Sequence, residues 1–301
     1  MFYRFVTLDV FTKVTFCGNP LAVVFDAIGL SPEAMQNIAR EFNLSETAFV
    51  LPPENPEGTH RVRIFTPVAE LLFAGHPTLG AAIAIARDEG QACDSYDYKF
   101  EEGIGLVPVS VSRNTDGNFR AELSVAQIPE RLPEDISTSQ WADILGLDKS
   151  TLCSNETETS QWSCGAPFSF VPVASLSALE SAKINLTQWE NHLSTSQVTG
   201  VFVFTQETND NRVDLRARMF APSHGIAEDP ATGSAVAALA GWLVDADKLE
   251  DGTHNWVIEQ GVEMGRPSRL ELEADVKNGR ITSVQVGGHA VVVSHGEITV
   301  S

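Results

Sequence analysis

A chain of 301 residues with 43% hydrophobic and 20% charged positions has the composition of a globular protein and the length of two domains of about 150 residues. Lys and Arg number 20 against 40 Asp and Glu, a net charge of −20 with no local basic patch, which argues against a nucleic-acid partner or an anionic membrane surface. No apolar run reaches the roughly 20 residues of a membrane span, and the four scattered cysteines form neither C-x-x-C spacing nor a His/Cys cluster, so no metal is expected; with no nucleotide loop in the chain, no cofactor is expected either.

Met1 to Val10 alternates apolar and polar residues as a strand does and lacks the three regions of a signal peptide, so a soluble, mature, cytoplasmic protein is expected. Runs rich in Val, Ile, Phe and Thr recur at Tyr3–Val10, Ala22–Phe25, Thr47–Leu51, Arg61–Phe65, Leu106–Ser112, Val198–Thr205 and Val213–Phe220, the pattern of a sheet-rich chain with few helices. One helix is predicted up to Phe42, with Ser31 as N-cap, Pro32 at N1 and Glu33 in the first turn. Its Met35, Ile38, Ala39 and Phe42 share one face, which suits a helix on the outside of a sheet. Pro77–Arg87 and Pro230–Val244 differ, being apolar nearly all round and built from small residues; such helices are buried on every side. Cys17, Cys93, Cys153 and Cys164 read as buried thiols.

The two small-residue helices sit in matching surroundings. Arg63-Ile-Phe-Thr-Pro67 precedes one and Arg218-Met-Phe-Ala-Pro222 the other, followed by Gly75-His-Pro-Thr-Leu-Gly80 and Asp229-Pro-Ala-Thr-Gly-Ser234. The match implies an internal duplication at a period of about 150 residues, the size of a domain. The division is placed at residues 1–127 and 128–301, with a Pro-rich, charged linker at Ile128–Asp135 and a terminal strand that can pack across the boundary.

A helix start exposes unpaired N–H groups and a partial positive charge, and glycine there lets a ligand approach the backbone. Two such starts facing each other would cradle one small anion, and a carboxylate suits them because neither loop is a phosphate loop. Acid/base candidates lie in the same places: His76 at the first helix start, Asp229 at the second as an ordinary N-cap, and Glu46 at the head of Glu46-Thr-Ala-Phe-Val-Leu51. Spacing alone does not bring the three together.

The segments Phe16–Val24, Ile38–Val50, Arg63–Val68 with Phe73–Thr78, Ala227–Ala235 and Gln260–Pro267 resemble the PhzF-like isomerases of phenazine biosynthesis, in the family's order and over most of the chain. The resemblance implies an α+β, diaminopimelate-epimerase-like fold of two pseudo-symmetric halves, each a sheet wrapped around a central helix. By motif it implies Glu46, His76 and Asp229 as the catalytic set. Gly75, Gly233 and Ser234 would hold the substrate, with Asn19 in a supporting binding role. Diaminopimelate epimerases use two thiols, whereas here Ala74 and Asp229-Pro230 stand at the corresponding places, so two-cysteine racemisation is not expected.

The activity so implied is a cofactor-independent proton shift in a small cyclic carboxylate such as 2,3-dihydro-3-hydroxyanthranilate, carried out by a homodimer. Glu46 would take the proton from one carbon and return it to another, its pKa driven upward by burial opposite Asp229. The halves are expected to close on substrate to exclude water. Two alternatives stand beside this: an epimerase of an amino-acid-like substrate using the same Glu46, and a non-catalytic binding protein on the same scaffold.

Overall fold

The structure, a computed structural model, describes residues 1–90, 93–134, 136–152, 159–193 and 197–300, leaving aside the side chain of Asp247. The chain folds into two compact units: unit 1 is Met1–Ser124 with the stretch from Gly287 onward, and unit 2 is Val125–Val286. Unit 1 runs β1 (Phe2–Val10), β2 (Asn19–Val24), α1 (Pro32–Phe42), β3 (Glu46–Leu51), β4 (His60–Phe65), β5 (Glu70–Leu71), α2 (Gly75–Asp88), β6 (Ser95–Glu102), β7 (Gly105–Arg113) and β8 (Phe119–Ser124). Unit 2 opens with β9 (Glu130–Leu132), α3 (Thr138–Leu145), β10 (Ser160–Ser163), β11 (Pro167–Pro172), α4 (Leu176–Ser181) and α5 (Leu186–Leu193). It continues with β12 (Gly200–Thr205), β13 (Leu215–Ala221), β14 (Ile226–Asp229), α6 (Gly233–Asp247), β15 (Gly252–Gln260), β16 (Ser268–Lys277) and β17 (Arg280–Thr299), which ends in unit 1.

In unit 1 the end of β17 pairs with β1, and pairing then passes through β2, β3, β4, β6, β7 and β8, which returns to β17. The closed ring encloses α2, whose residues from His76 to Ala86 are all buried. Only a slender helix fits there. A Cβ on Gly80 would stand 2.4 Å from Leu21 Cδ2 and 2.8 Å from Val10 Cγ2, so the small-residue composition follows from the width of the ring. In unit 2, α6 packs on β9, β10, β11 and β16, and a Cβ on Gly241 would lie 2.2 Å from Trp162 Cε3.

The two units repeat one pairing scheme. β2 and β3 are parallel, β3 and β4 antiparallel, β4 and β6 parallel, and β6 and β7 antiparallel. β11–β12, β12–β13, β13–β15 and β15–β16 follow the same sequence of senses. The registers agree residue by residue: Thr47 faces Phe65 as Val201 faces Phe220, and Arg61 faces Glu101 as Arg216 faces Glu259. Even a side-chain device is copied. Arg63 forks onto Glu70 and lies over Phe65; Arg218 forks onto Glu228 and lies over Phe220.

Outside the strands, α1 packs Met35, Ile38 and Ala39 against Phe49, Phe65 and Val24, and Ser31 Oγ accepts from the Ala34 amide as the N-cap pattern predicts. The expected linker at Ile128–Asp135 is instead partly strand, since β9 pairs with β10; Asp135 lies outside the described residues. Three helices that strand-rich patterning did not predict, α3, α4 and α5, cover β11, β12 and β13 through Trp141, Leu179 and Trp189. A local signal for α3 was present in Ser137 and Gln140, which form a capping box. The expected burial of the thiols is also corrected. Cys93 is exposed and Cys17 and Cys164 are half-buried, while Cys153 lies outside the described residues. Among the described residues no helix is long and apolar enough to cross a membrane.

Candidate active site

Glu46 opens β3, held parallel to β2 by its pairing with Leu21, and only 14% of its side chain is exposed. His76 lies in the first turn of α2, 7% exposed, with Nε2 3.1 Å from Glu46 Oε2. Burial pushes the His76 pKa down to about 3, opposed by a hydrogen bond to the Pro20 carbonyl. A ring that donates there through its other nitrogen is neutral, and Nε2 then turns a lone pair toward Glu46. The geometry therefore suits a proton carried by the Glu46 carboxyl and shared with Nε2.

Asn19 is wholly buried at the start of β2, next to the proline whose carbonyl orients His76, so the start of this strand adjoins the proton site. Gly75 is the first residue of α2, and the N-cap, Ala74, supplies no side-chain acceptor. The leading amides of this helix are uncapped by any side chain, as a ligand-binding helix start requires.

In unit 2 the predicted helix start is corrected. Asp229 is not an N-cap, because it ends β14 opposite Met219, and α6 begins at Gly233 rather than Pro230 with Thr232 in the cap position. The Asp229 carboxylate instead accepts from Thr232 Oγ1 at 2.5 Å. Ser234 follows Gly233 in the first turn, half-buried, and Thr232 makes no side-chain cap, so these amides are also uncapped. The fold thus gathers Asn19, Glu46, Gly75 and His76 in unit 1, and Asp229, Gly233 and Ser234 in unit 2.

Sequence reasoning gave no role to Gln260, which is fully buried at the end of β15. Its amide donates to the Asp229 carbonyl at 2.7 Å and to Thr232 Oγ1 at 3.0 Å, and its oxygen accepts from the Thr232 amide at 3.2 Å. Gly261 completes the joint: at φ +78° it lies so close to Pro230 that a Cβ would stand 2.6 Å from the Pro230 carbonyl oxygen. The sequence offered little signal for it, since β15 carries polar residues along its length and is buried only at Ile258 and Gln260. Among the described residues no group of His, Cys, Asp and Glu is placed to hold a metal ion.

Two half-barrels of one topology, each around a small-residue helix, define the diaminopimelate-epimerase-like fold class. A family model described as phenazine biosynthesis-like protein matches residues 8–296, and the chain belongs to that family. An uncharacterized isomerase from Mesorhizobium japonicum is 43% identical over 98% of both chains. The trans-2,3-dihydro-3-hydroxyanthranilate isomerase of Pseudomonas aeruginosa is 36% identical over 98% of both. The crystal structure of the Bacillus anthracis phenazine biosynthesis protein, PhzF family, superposes with a TM-score of 0.90 at 27% identity, covering all of both chains. The protein is an isomerase.

Proposed function

We propose that the protein moves a proton between carbons of a small cyclic carboxylate of the 2,3-dihydro-3-hydroxyanthranilate kind, without a cofactor, using Glu46 as the acid/base. The observation that carries this is the buried apposition of Glu46 Oε2 and a neutral His76 Nε2 at 3.1 Å. In the first step a substrate C–H bond breaks and its proton forms an O–H bond on the Glu46 carboxylate. In the second that O–H bond breaks and a new C–H bond forms elsewhere on the ring. Between the steps His76 Nε2 accepts a hydrogen bond from the carboxylic acid and holds the transferred proton in place. In unit 1 the uncapped amide at Gly75 binds a substrate carboxylate oxygen and Asn19 positions a polar group; in unit 2 the helix start at Gly233 and Ser234, with Asp229, is a second anion-binding element of the same kind, and the working unit is a cytoplasmic homodimer.

The relative from Pseudomonas aeruginosa, alike over nearly the full length, supports this substrate class. The test is deuterium wash-in on candidate carboxylates in heavy water, comparing the parent with Glu46→Gln. Glutamine keeps the shape and cannot accept and return a proton, so turnover falls by about 10²–10⁴-fold with folding intact. Label at a second ring carbon marks an allylic shift, and label at the original stereocentre marks epimerisation of an amino-acid-like substrate. A Glu46→Gln protein that turns over within a fewfold of the parent overturns the assignment.

A further inference from the structure

Glu102 is a buried carboxyl to which the proposed chemistry gives no part. It closes β6, is 7% exposed, and has one oxygen, Oε2, without a hydrogen-bond partner. Its Oε1 lies 2.8 Å from Thr78 Oγ1, which lies 2.8 Å from the carbonyl of Ala74, the cap residue of α2. The Thr78 hydroxyl carries one hydrogen and cannot donate to both oxygens. Both contacts are satisfied at once if Glu102 carries a proton and donates it to Thr78, leaving Thr78 to donate to Ala74.

The second unit shows what stands at the same place. Arg61 faces Glu101 as Arg216 faces Glu259, so the next residues along, Glu102 and Gln260, are counterparts. Each side chain reaches a threonine at a buried helix start, Thr78 or Thr232. Each is followed by a glycine pressed on the segment before that helix: a Cβ on Gly103 would meet Leu72 Cα at 2.8 Å, and one on Gly261 would meet the Pro230 oxygen at 2.6 Å. We infer that Glu102 is a positioning residue that works as a neutral carboxylic acid, the counterpart of the Gln260 amide, and clamps the start of α2 with His76 on it. The part of this concerning catalysis rests on the reading of His76 given above.

Burial raises the Glu102 pKa from 4.5 to about 8, with the Thr78 bond the lesser, opposing influence. The titratable groups on the surrounding elements are otherwise engaged or uninvolved. His76 on α2 is neutral, Arg61 and Arg63 on β4 bind Glu54 and Glu70, and Glu101 on β6 accepts from the amides of Glu54 and Asn55. His60 on β4, Lys99 on β6, Arg87 on α2 and Arg113 on β7 add nothing to Glu102. The fold disfavours the carboxylate, so its stability is full below pH 4.5, declines as the unfolded chain ionises from 4.5 to about 8, and levels off above. Above pH 8 the ionised Glu102 draws the Thr78 hydroxyl to itself and the clamp on Ala74 is lost.

The experiment is hydrogen–deuterium exchange with mass spectrometry on the parent, Glu102→Gln and Glu102→Ala, using the peptide over residues 229–236, clamped by Gln260, as internal reference. At pH 9 the peptide over residues 72–80 exchanges about tenfold faster in the parent than in Glu102→Gln, one unit above the raised pKa, and at pH 6 the two match. Glu102→Ala exchanges fast at both. Glu102→Gln also melts higher than the parent at pH 8.5, by about 2–4 °C or more, and no higher at pH 4.5. In turnover, Gln removes an alkaline decline near pH 8 that the parent shows, and restores activity that Ala loses. Equal parent protection at pH 6 and 9, or looser exchange in Glu102→Gln at pH 6, overturns the inference. These exchange and melting results stand even if Glu46→Gln fails to stop turnover.

Discussion

Replacing Arg218 by Met removes a guanidinium that holds more than its ion pair. Its side chain is 9% exposed and that of Glu228 is 15% exposed, with Nε and Nη2 donating to the two carboxylate oxygens at 2.8 and 2.9 Å. Nη1 lies 3.1, 3.2 and 2.8 Å from the carbonyl oxygens of Leu179, Glu180 and Ala182, which close α4. Methionine fills the volume of the stem but leaves a buried carboxylate unpaired and takes the guanidinium donor from the carbonyls at the end of α4, of which Leu179 keeps the Ala182 amide, a loss of about 3–5 kcal/mol. The counterpart Arg63 makes the same fork onto Glu70, at 2.7 Å on both arms, but Glu70 is 40% exposed and can turn to water. Arg63→Met therefore costs about 1 kcal/mol or less. All five tryptophans, Trp141, Trp162, Trp189, Trp242 and Trp256, lie in unit 2, so tryptophan fluorescence during urea unfolding follows the unit that carries Arg218. Circular dichroism follows the whole chain beside it. The double variant Arg218→Met with Glu228→Leu, which removes the stranded charge, recovers part of the loss. An Arg218→Met cost no greater than that of Arg63→Met would refute the reasoning, because it would mean that burial and the α4 carbonyls add nothing.

Gly241→Ala places a methyl 2.2 Å from the Trp162 ring inside unit 2, and the overpacking cost of about 1–3 kcal/mol exceeds the gain of about 1 kcal/mol in helix propensity. Thermal melting with tryptophan fluorescence should show a lower midpoint and a shifted emission; an unchanged midpoint would mean that the ring has room to move. Burial pushes the Cys164 thiol up to about 12 while Cys93 is exposed, so brief iodoacetamide treatment at pH 8 should modify Cys93 at least about 100-fold faster than Cys164. Peptide mapping reads the two rates, and comparable labelling would contradict the raised pKa of the Cys164 thiol.

Much of this architecture was legible in the chain because its signals are local or repeat themselves. Ser31 and Pro32 mark the start of α1, and the run of alanine and glycine in α2 and α6 marks helices with no solvent-facing side. The recurrence of Arg-x-Phe before each glycine-rich helix start marked the duplication that the pairing registers display. Glu46 and His76 were legible as residues of the right chemical kind in matched motifs, but their 3.1 Å apposition is a product of the fold. It depends on β2 lying parallel to β3 and offering the Pro20 carbonyl to the ring.

What sequence determined by itself, then, is the set of buried helices, the repeat and the chemical types at the helix starts, since each is encoded by neighbours along the chain or by a second copy of the same pattern. Tertiary structure alone decided that Asp229 ends a strand instead of capping a helix, that α3, α4 and α5 cover the outer face of unit 2, and that Glu102 and Gln260 are counterparts. Those outcomes turn on parallel pairings between strands distant in sequence, where Arg61 meets Glu101 and Arg216 meets Glu259. A buried polar side chain takes its meaning from the partner that such a register sets against it, and no local pattern names that partner.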